Sequence, residues 1–485
     1  MKFAPRFSKP CFFAILLGTL ILGSCSAPPQ GPNILFVLSD DQSWTHVSYT
    51  GEPGVETPNF DRIAQEGMFF PRAYVSAPSC TPSRSAILAG QHFWRLGAAG
   101  VLWGEFGNDT LSYQRILAAA GYHTGYTGKG WGPGLASGGD PVGQGYNSQT
   151  LTERPSIHIS ATDYAGNFAE FLDERPDDTP FSFWVSPFEP HRPYEGRAGS
   201  LAGIRLDTIR VPDFLPDTVA VRQDLANYYL EINWLDQVLG QVVAELEQRN
   251  LLENTIIVVT SDNGMPFPRA KANNYDYGAR VPLAIRWGAE VQPGQISSAM
   301  VNLSDLAPTF LAAANLPIPI EMTGRNLLPL LTRGSDVGPT PKFDFTVTGF
   351  ERHIVNARPM GIAYPSRAIH TPAYSLIRNY APARWPAGNP PEFRDIDGTS
   401  PSRDAVLRIS EYAELATAPR PEFELYDRLA DPYQLNNLAL SEQHITILQD
   451  LNASLENELR STDDPLMTEG ITAFDSMPSY NSTNQ

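Results

Sequence analysis

The chain has 485 residues, 42% hydrophobic and 18% charged, with 38 glycines and 43 prolines; this is a loop-rich globular composition, too apolar for a disordered chain and long enough for a large domain plus a smaller one. Against 35 basic residues stand 53 acidic ones, a formal net charge of −18, which speaks against nucleic acid as the main partner and against an anionic substrate unless a local cluster overrides it. The three cysteines, Cys11, Cys25 and Cys80, cannot build a disulfide framework, so each needs its own explanation.

Lys2 and Arg6 open the chain, an apolar run follows over 11–22, and Leu22-Gly23-Ser24-Cys25 leads into a Ser/Pro/Gln stretch. The apolar run is too short to span a bilayer comfortably. Basic start, apolar run and small residues read as a secretory signal. Small residues directly before Cys25 resemble the bacterial lipobox. That resemblance implies a signal segment over 1–25, a lipid anchor on Cys25, a linker over 26–32, and a lipoprotein in the periplasm or at the cell surface. An ordinary signal peptide cut nearby is the alternative. Either way Cys11 leaves with the signal.

Residues 33–38 form a continuous apolar run, the pattern of a strand covered on both faces. It ends at Ser39-Asp40-Asp41. A helix is expected near 57–67, with Pro58 in its first turn, and another over 113–120, ended by Gly121. Strands are expected over 123–127 and 181–185. The segment 217–250 carries Leu225, Tyr229, Ile232, Leu235, Leu239, Val242 and Leu246 at helical spacing. It feeds a strand over 255–260 that stops at Ser261-Asp262-Asn263-Gly264. A late helix is expected over 303–315. Alternating apolar strands and amphipathic helices predict an α/β domain over 33–335, a large mainly parallel sheet flanked by helices. A Gly/Pro/Thr-rich linker over 324–341 precedes a smaller C-terminal α+β subdomain, 342–470. It carries a short antiparallel sheet (343–347, 374–378, 423–426) and a helix over 441–459. Residues 471–485 read as a loose tail.

In an open α/β sheet, ligands sit beyond the carboxyl ends of the strands. Two strands here end in oxygen-rich pairs, Asp40-Asp41 and Asp262-Asn263. One such pair alone reads as a cap or a turn. The two together suit a hard divalent cation.

Cys80 lies in Ser79-Cys80-Thr81-Pro82-Ser83-Arg84. With the upstream Asp-Asp and the later Ser-Asp-Asn-Gly, this string resembles the signature of the sulfatase family. The likeness covers most of the chain. In the stretches Asp262-Asn263-Gly264-Met265-Pro266-Phe267-Pro268 and Tyr364-Pro365-Ser366-Arg367 it is similar to the heparan N-sulfatase branch. The resemblance implies conversion of Cys80 to formylglycine by a dedicated maturation enzyme. It also implies a bound Ca²⁺, with Mg²⁺ as the alternative, held by Asp40, Asp41, Asp262, Asn263 and an oxygen of residue 80. Arg84 would hold the hydrated aldehyde, Lys129 would contact it and the sulfate, His191 would bind sulfate or protonate the leaving group, and Lys271 would bind a sulfate oxygen.

One departure stands out. Where many sulfatases have Lys-x-His, this chain has Lys129-Gly130-Trp131, which leaves proton donation in doubt. Trp131 reads either as core packing or as a sugar-stacking platform. Arg280, Glu351, Arg352, His353 and Arg367 are candidate substrate readers at the pocket mouth, with surface or structural ion pairs as the alternative for each. The expected activity is hydrolysis of sulfate from a sulfated polysaccharide, a glycosaminoglycan or an algal polymer such as ulvan. The competing readings are a phosphate or phosphonate monoester hydrolase and a catalytically dead sugar-binding lipoprotein.

Overall fold

The computed structural model describes residues 1–4, 31–333 and 343–480. Cys11, Cys25 and the lipobox lie outside the described residues, as do 334–342; the first part of the expected linker, 324–333, is described and holds a short helix, Leu328–Arg333, with Leu330 and Leu331 buried. Among the described residues no helix is long and apolar enough to cross a membrane.

The main sheet is built from β1 (Asn33–Ser39), β2 (Met68–Phe69), β3 (His123–Gly128), β4 (Gln144–Gly145), β5 (Phe181–Ser186), β6 (Thr255–Ser261), β7 (Leu283–Arg286) and β8 (Gln295–Ile296). Their order is β8-β2-β7-β6-β1-β5-β3-β4. The centre is parallel, with Leu35 level with Phe183 on one side and Ile257 on the other. β7 runs antiparallel to both β6 and β2, so the sheet is mixed, though mostly parallel as expected. β7 escaped the sequence reading because four residues are too short to show a period.

Every residue of β1 is buried, and alternate side chains serve two layers. Leu35 and Val37 pack with Phe183, Ile257 and the helices α1 (Pro58–Gln65), α4 (Tyr164–Glu174) and α5 (Val219–Gln248). Ile34, Phe36 and Leu38 pack with Trp184, Val258 and the helices α2 (Cys80–Ala89), α3 (Tyr113–Ala119) and α6 (Leu306–Ala313). Each such side chain contributes about 1.5–3 kcal/mol on burial. These layers make the rigid platform on which a costly cluster of buried charges is held. α2 is buried on all sides, so it shows no amphipathic stripe and was not legible as a helix.

The C-terminal part carries an antiparallel sheet in the order β9 (Thr346–Phe350), β10 (Ser366–His370), β11 (Tyr374–Asn379), β12 (Phe423–Asp427). Ile369, Leu376 and Leu425 share a core with Leu448, Leu455 and Leu459 of α7 (Ile445–Ser461). The sheet joins the catalytic part directly, Gly349 N donating to Ser76 O at 2.9 Å. The expected loose tail is packed as far as Tyr480. Phe474 is buried, Tyr480 N donates to Trp103 O at 2.6 Å, and its hydroxyl donates to Glu105 Oε2 at 3.0 Å.

Candidate active site

Sheet register builds the acidic cluster. Ser39 and Ser261 end β1 and β6 level with each other, and Asp262 N donates to Ser39 O at 3.1 Å. Asp40 and Asp262 therefore leave the sheet side by side. Asp41 follows in a left-handed conformation (φ 76°), a strained state that functional sites often hold, and its N–H donates to Asp262 Oδ1 at 3.1 Å. Carboxylate oxygens of Asp40, Asp41 and Asp262 lie within 4.8 Å of one another, all buried. Asn263 Nδ2 donates to Asp41 Oδ1 at 2.6 Å and to Gly264 O at 2.9 Å. Its Oδ1 is left buried with no hydrogen-bond partner among the described residues. Gly264 is required by close approach, since a Cβ there would stand 1.9 Å from Tyr277 O.

Cys80 opens α2 at the edge of this cluster, its Sγ 3.6 Å from Asp40 Oδ1. Arg84 lies one turn on. Its Nε donates to Asp262 Oδ2 at 2.7 Å, and its Nη1 donates to Ser186 Oγ at 2.6 Å and Gly130 O at 2.7 Å. Its Nη2 is 4.0 Å from Asp40 Oδ1 and has no hydrogen-bond partner among the described residues. Gly128 and Ser186 end β3 and β5 level, which sends Lys129 to the same spot, Nζ 2.5 Å from Asp40 Oδ2. Lys271 Nζ donates to Asp41 Oδ2 at 2.7 Å and to Asp397 Oδ2 at 2.9 Å. His191 points Nε2 at Asp41 Oδ2 across 3.7 Å. Its Nδ1 meets the Arg192 carbonyl at 2.6 Å; a carbonyl only accepts, so Nδ1 carries the hydrogen. A cleft of ≈ 380 Å³ lined by His191, Lys129, Asp40, Trp103 and His158 opens onto the group.

The electrostatics are those of a site with charge to spare. Burial works to raise Asp40, but Lys129, His191, Arg84 and Lys271 outweigh it and hold the carboxyl well below its usual range. Burial and the neighbouring Asp40 push Asp262 up to about 6. Burial opposes the charge on Lys271, yet Asp397 and Asp41 keep its ammonium well above its ordinary value. Burial pushes the Cys80 thiol far up, and the nearby lysines do not reverse it. Three carboxylates and an unsatisfied amide oxygen form the donor set a hard divalent cation takes, so the residues present fit such an ion.

The structure thus brings together Asp40, Asp41, Cys80, Arg84, Lys129, His191, Asp262, Asn263 and Lys271. The expected substrate readers divide differently. Trp131 is no sugar platform. It is 1% exposed, packed edge-on against Phe106, with Nε1 donating to Ser85 Oγ at 2.8 Å. Arg280 lies over the Trp44 ring and binds Pro71 O and Asp276, a structural clamp. Glu351 is buried against Arg367 at 2.7 Å, and burial pushes it up to about 7 despite that partner. Arg367 is committed to Asp464 at 2.5 Å as well. These two are paired in a buried ionic network of the core. Arg352 donates to Gly361 O and Met477 O and lines a separate cleft. His353 does reach the site from behind, Nδ1 bonding Ser79 Oγ at 2.8 Å with Nε2 3.6 Å from Asp397 Oδ1. Sequence reasoning missed Asp397 and Ser186. Neither sits in a recognisable motif, and only packing brings them in.

Residues 32–316 match the Sulfatase family model, and residues 270–385 match the model described as N-sulphoglucosamine sulphohydrolase, C-terminal. Human N-sulphoglucosamine sulphohydrolase is 29% identical over 92% of this chain and 93% of its own. An ulvan-active sulfatase of Formosa agariphila is 27% identical over 90% of this chain and 82% of its own. In fold, the chain is similar to a protein solved in complex with its substrate D-glucosamine-2-N,6-O-disulfate, with a TM-score of 0.66 at 20% identity, over 90% of this chain and 99% of that one. With its acidic cluster, its Cys80–Arg84 helix and a family match across most of the α/β domain, the chain belongs to the sulfatase family and is a sulfuric ester hydrolase.

Proposed function

We propose that this enzyme removes sulfate, O-linked or N-linked, from a sulfated glycan, with Cys80 oxidised to formylglycine and a divalent cation held by Asp40, Asp41, Asp262 and Asn263. Ca²⁺ is the expected ion and Mg²⁺ the alternative. The carrying observation is the gathering of Asp40, Asp41 and Asp262 with Arg84, Lys129, His191 and Lys271 into one cluster beside the buried Cys80. The thiol itself is unsuited to attack, because reactive cysteines need a lowered pKa and burial raises this one. A hydrated formylglycine supplies an oxygen nucleophile that can release its sulfate again, and the cation offsets the charge of sulfate oxygens.

The chain's own residues do the positioning. Arg84 stays charged between Asp262 and Asp40 and offers its free Nη2 beside residue 80. Lys129 and Lys271 offer N–H groups where sulfate oxygens carry charge. Of the imidazoles lining the cleft, His158 and His191, His191 is the one set against Asp41, Nε2 3.7 Å from its Oδ2. Its Nδ1–H is committed to the Arg192 carbonyl, so Nε2 faces the reaction and, in the imidazolium form, gives its proton to the departing oxygen or nitrogen. Similarity to N-sulphoglucosamine sulphohydrolase and to ulvan-active sulfatases supports a glycosaminoglycan or ulvan-type substrate. Export, with a lipid on Cys25 and a periplasmic or surface location, belongs to the same reading.

The test takes protein in which the mass of the residue-80 peptide demonstrates conversion. It is incubated with defined sulfated mono- and oligosaccharides of both classes and with matched phosphate esters. Sulfate release that stops on chelation and returns with Ca²⁺ is expected. Preference for phosphate, or no release by converted protein, overturns the reading. An unmodified thiol in protein from its native host would favour a sugar-binding protein without catalysis.

A further inference from the structure

A second cleft, of ≈ 820 Å³, opens in the C-terminal part and is lined by Arg352, Arg358, Met360, Glu392 and Arg394 among others. The two segments that build it, 352–361 and 389–397, are tied together by Ile354 N donating to Asp395 Oδ1 at 2.8 Å and Asn389 N donating to Ala357 O at 2.8 Å. The same segments reach the catalytic site from their other sides. His353 bonds Ser79, directly before Cys80, and Asp397 bonds Lys271. The segments that line the cleft thus also contact the reacting centre, through His353 and Asp397.

Its free charge is positive, in a chain whose net charge is −18. Arg352 donates only to carbonyl oxygens, at 3.1 Å and 2.7 Å, and has no ion pair among the described residues. Arg358, with 1% of its side chain exposed, pairs with Asp395 at 2.8 Å, but its buried Nη1 has no hydrogen-bond partner among the described residues. Arg394 is exposed, and its guanidinium has no ion pair or hydrogen bond among the described residues. Of the two acids in the lining, Asp475 accepts from Ala363 N at 2.7 Å and Arg384 Nη1 at 3.4 Å. Glu392 stands exposed at the rim. A buried guanidinium N–H without a partner is costly, and a planar fork of donors matches sulfate and carboxylate oxygens. Met360, 90% exposed, supplies apolar ground beside them for a sugar ring.

We propose that this cleft is a second anion-binding subsite, holding a sulfated or carboxylated sugar of the same glycan that presents its reacting sulfate at Cys80. The proposal rests on the sulfated-glycan reading above. Its consequence is that an oligosaccharide is gripped at two points and a monosaccharide sulfate at one.

Calorimetric titration of full-length Cys80→Ala protein, which cannot turn over, tests it. The probes are a sulfated tetrasaccharide of glycosaminoglycan type, one of ulvan type, a monosaccharide sulfate and a neutral tetrasaccharide. One of the sulfated tetrasaccharides is expected to bind about tenfold or more tighter than the monosaccharide sulfate. In the Cys80→Ala background, Arg394→Gln shrinks that advantage, Arg394→Glu removes it, and Glu392→Gln enlarges it. No advantage for either tetrasaccharide, or an advantage that survives Arg394→Glu, overturns the subsite. Sulfate release by the matured wild-type enzyme is measured in parallel. Absent release with retained tetrasaccharide binding defeats the catalytic reading alone, and release without the advantage defeats the subsite alone.

Discussion

Asp262 is the residue that couples the site to pH. Burial and the charge of Asp40 hold its carboxyl at about 6, so below that pH a cation has to displace a proton to use it. Metal affinity should fall as the pH drops through about 6 and level off above it. Titration of chelator-stripped protein with Ca²⁺ at a series of pH values measures this, and a flat profile contradicts it. Asp262→Asn should lower affinity at least about tenfold and flatten the pH dependence. At this scale much is legible in the amino-acid sequence. Asp40, Asp41, Asp262 and Asn263 end apolar strands, and Cys80, Arg84, Lys129, His191 and Lys271 sit in contiguous strings. Asp397 is not legible there, because its place beside Lys271 exists only through packing of a distant loop. Nor can an aromatic residue between glycines say whether Trp131 faces sugar or core.

At the scale of elements, strand ends do the aiming. Asp40 and Asp262 are neighbours because β1 and β6 stop level, and Lys129 joins them because β3 and β5 do. Gly264 is the turn that lets β6 end there. Gly264→Ala would drive a Cβ into the Tyr277 carbonyl, displace Asp262 and Asn263, and weaken metal binding about tenfold or more, with the overall far-UV circular dichroism retained. Trp131 locks the loop after β3 onto α2 through Ser85. Trp131→Ala should cost about 3–5 kcal/mol in urea unfolding and leave KM for a sulfated sugar little changed; a large KM effect with unchanged stability would restore the stacking role. The long strands β1, β5 and β6 announce themselves as apolar runs and the helix α5 by its period. The wholly buried α2 and the short β7 carry no period to read.

At the scale of the whole molecule, the C-terminal part is knit together by buried charge of its own. Arg367 is held by Asp464 and Glu351, and all three are buried. Breaking such a network is expensive, because a charge is left unpaired in the interior. Asp464→Ala should destabilise the protein by about 3–5 kcal/mol, read from thermal or denaturant unfolding; a loss under about 1 kcal/mol would mean that water enters and takes over the pairing. The net charge of −18 leaves room for an anionic substrate only through a local cluster, and Arg84, Lys129, His191 and Lys271 form one beside Cys80. The depth of Cys80 bears on how the enzyme is made. The residue is 2% exposed and sits on a helix buried on every side, so no second enzyme can close around that side chain once the domain has formed. The oxidation proposed for it must therefore happen on the nascent or still-unfolded chain, and folding ends the opportunity. Thiol-bearing protein that has already folded should resist conversion by the maturation enzyme, whereas the same protein held unfolded should accept it, with peptide mass as the readout. Cellular yield of active enzyme is then a race between modification and folding, and substitutions that hasten folding lower specific activity without touching the site.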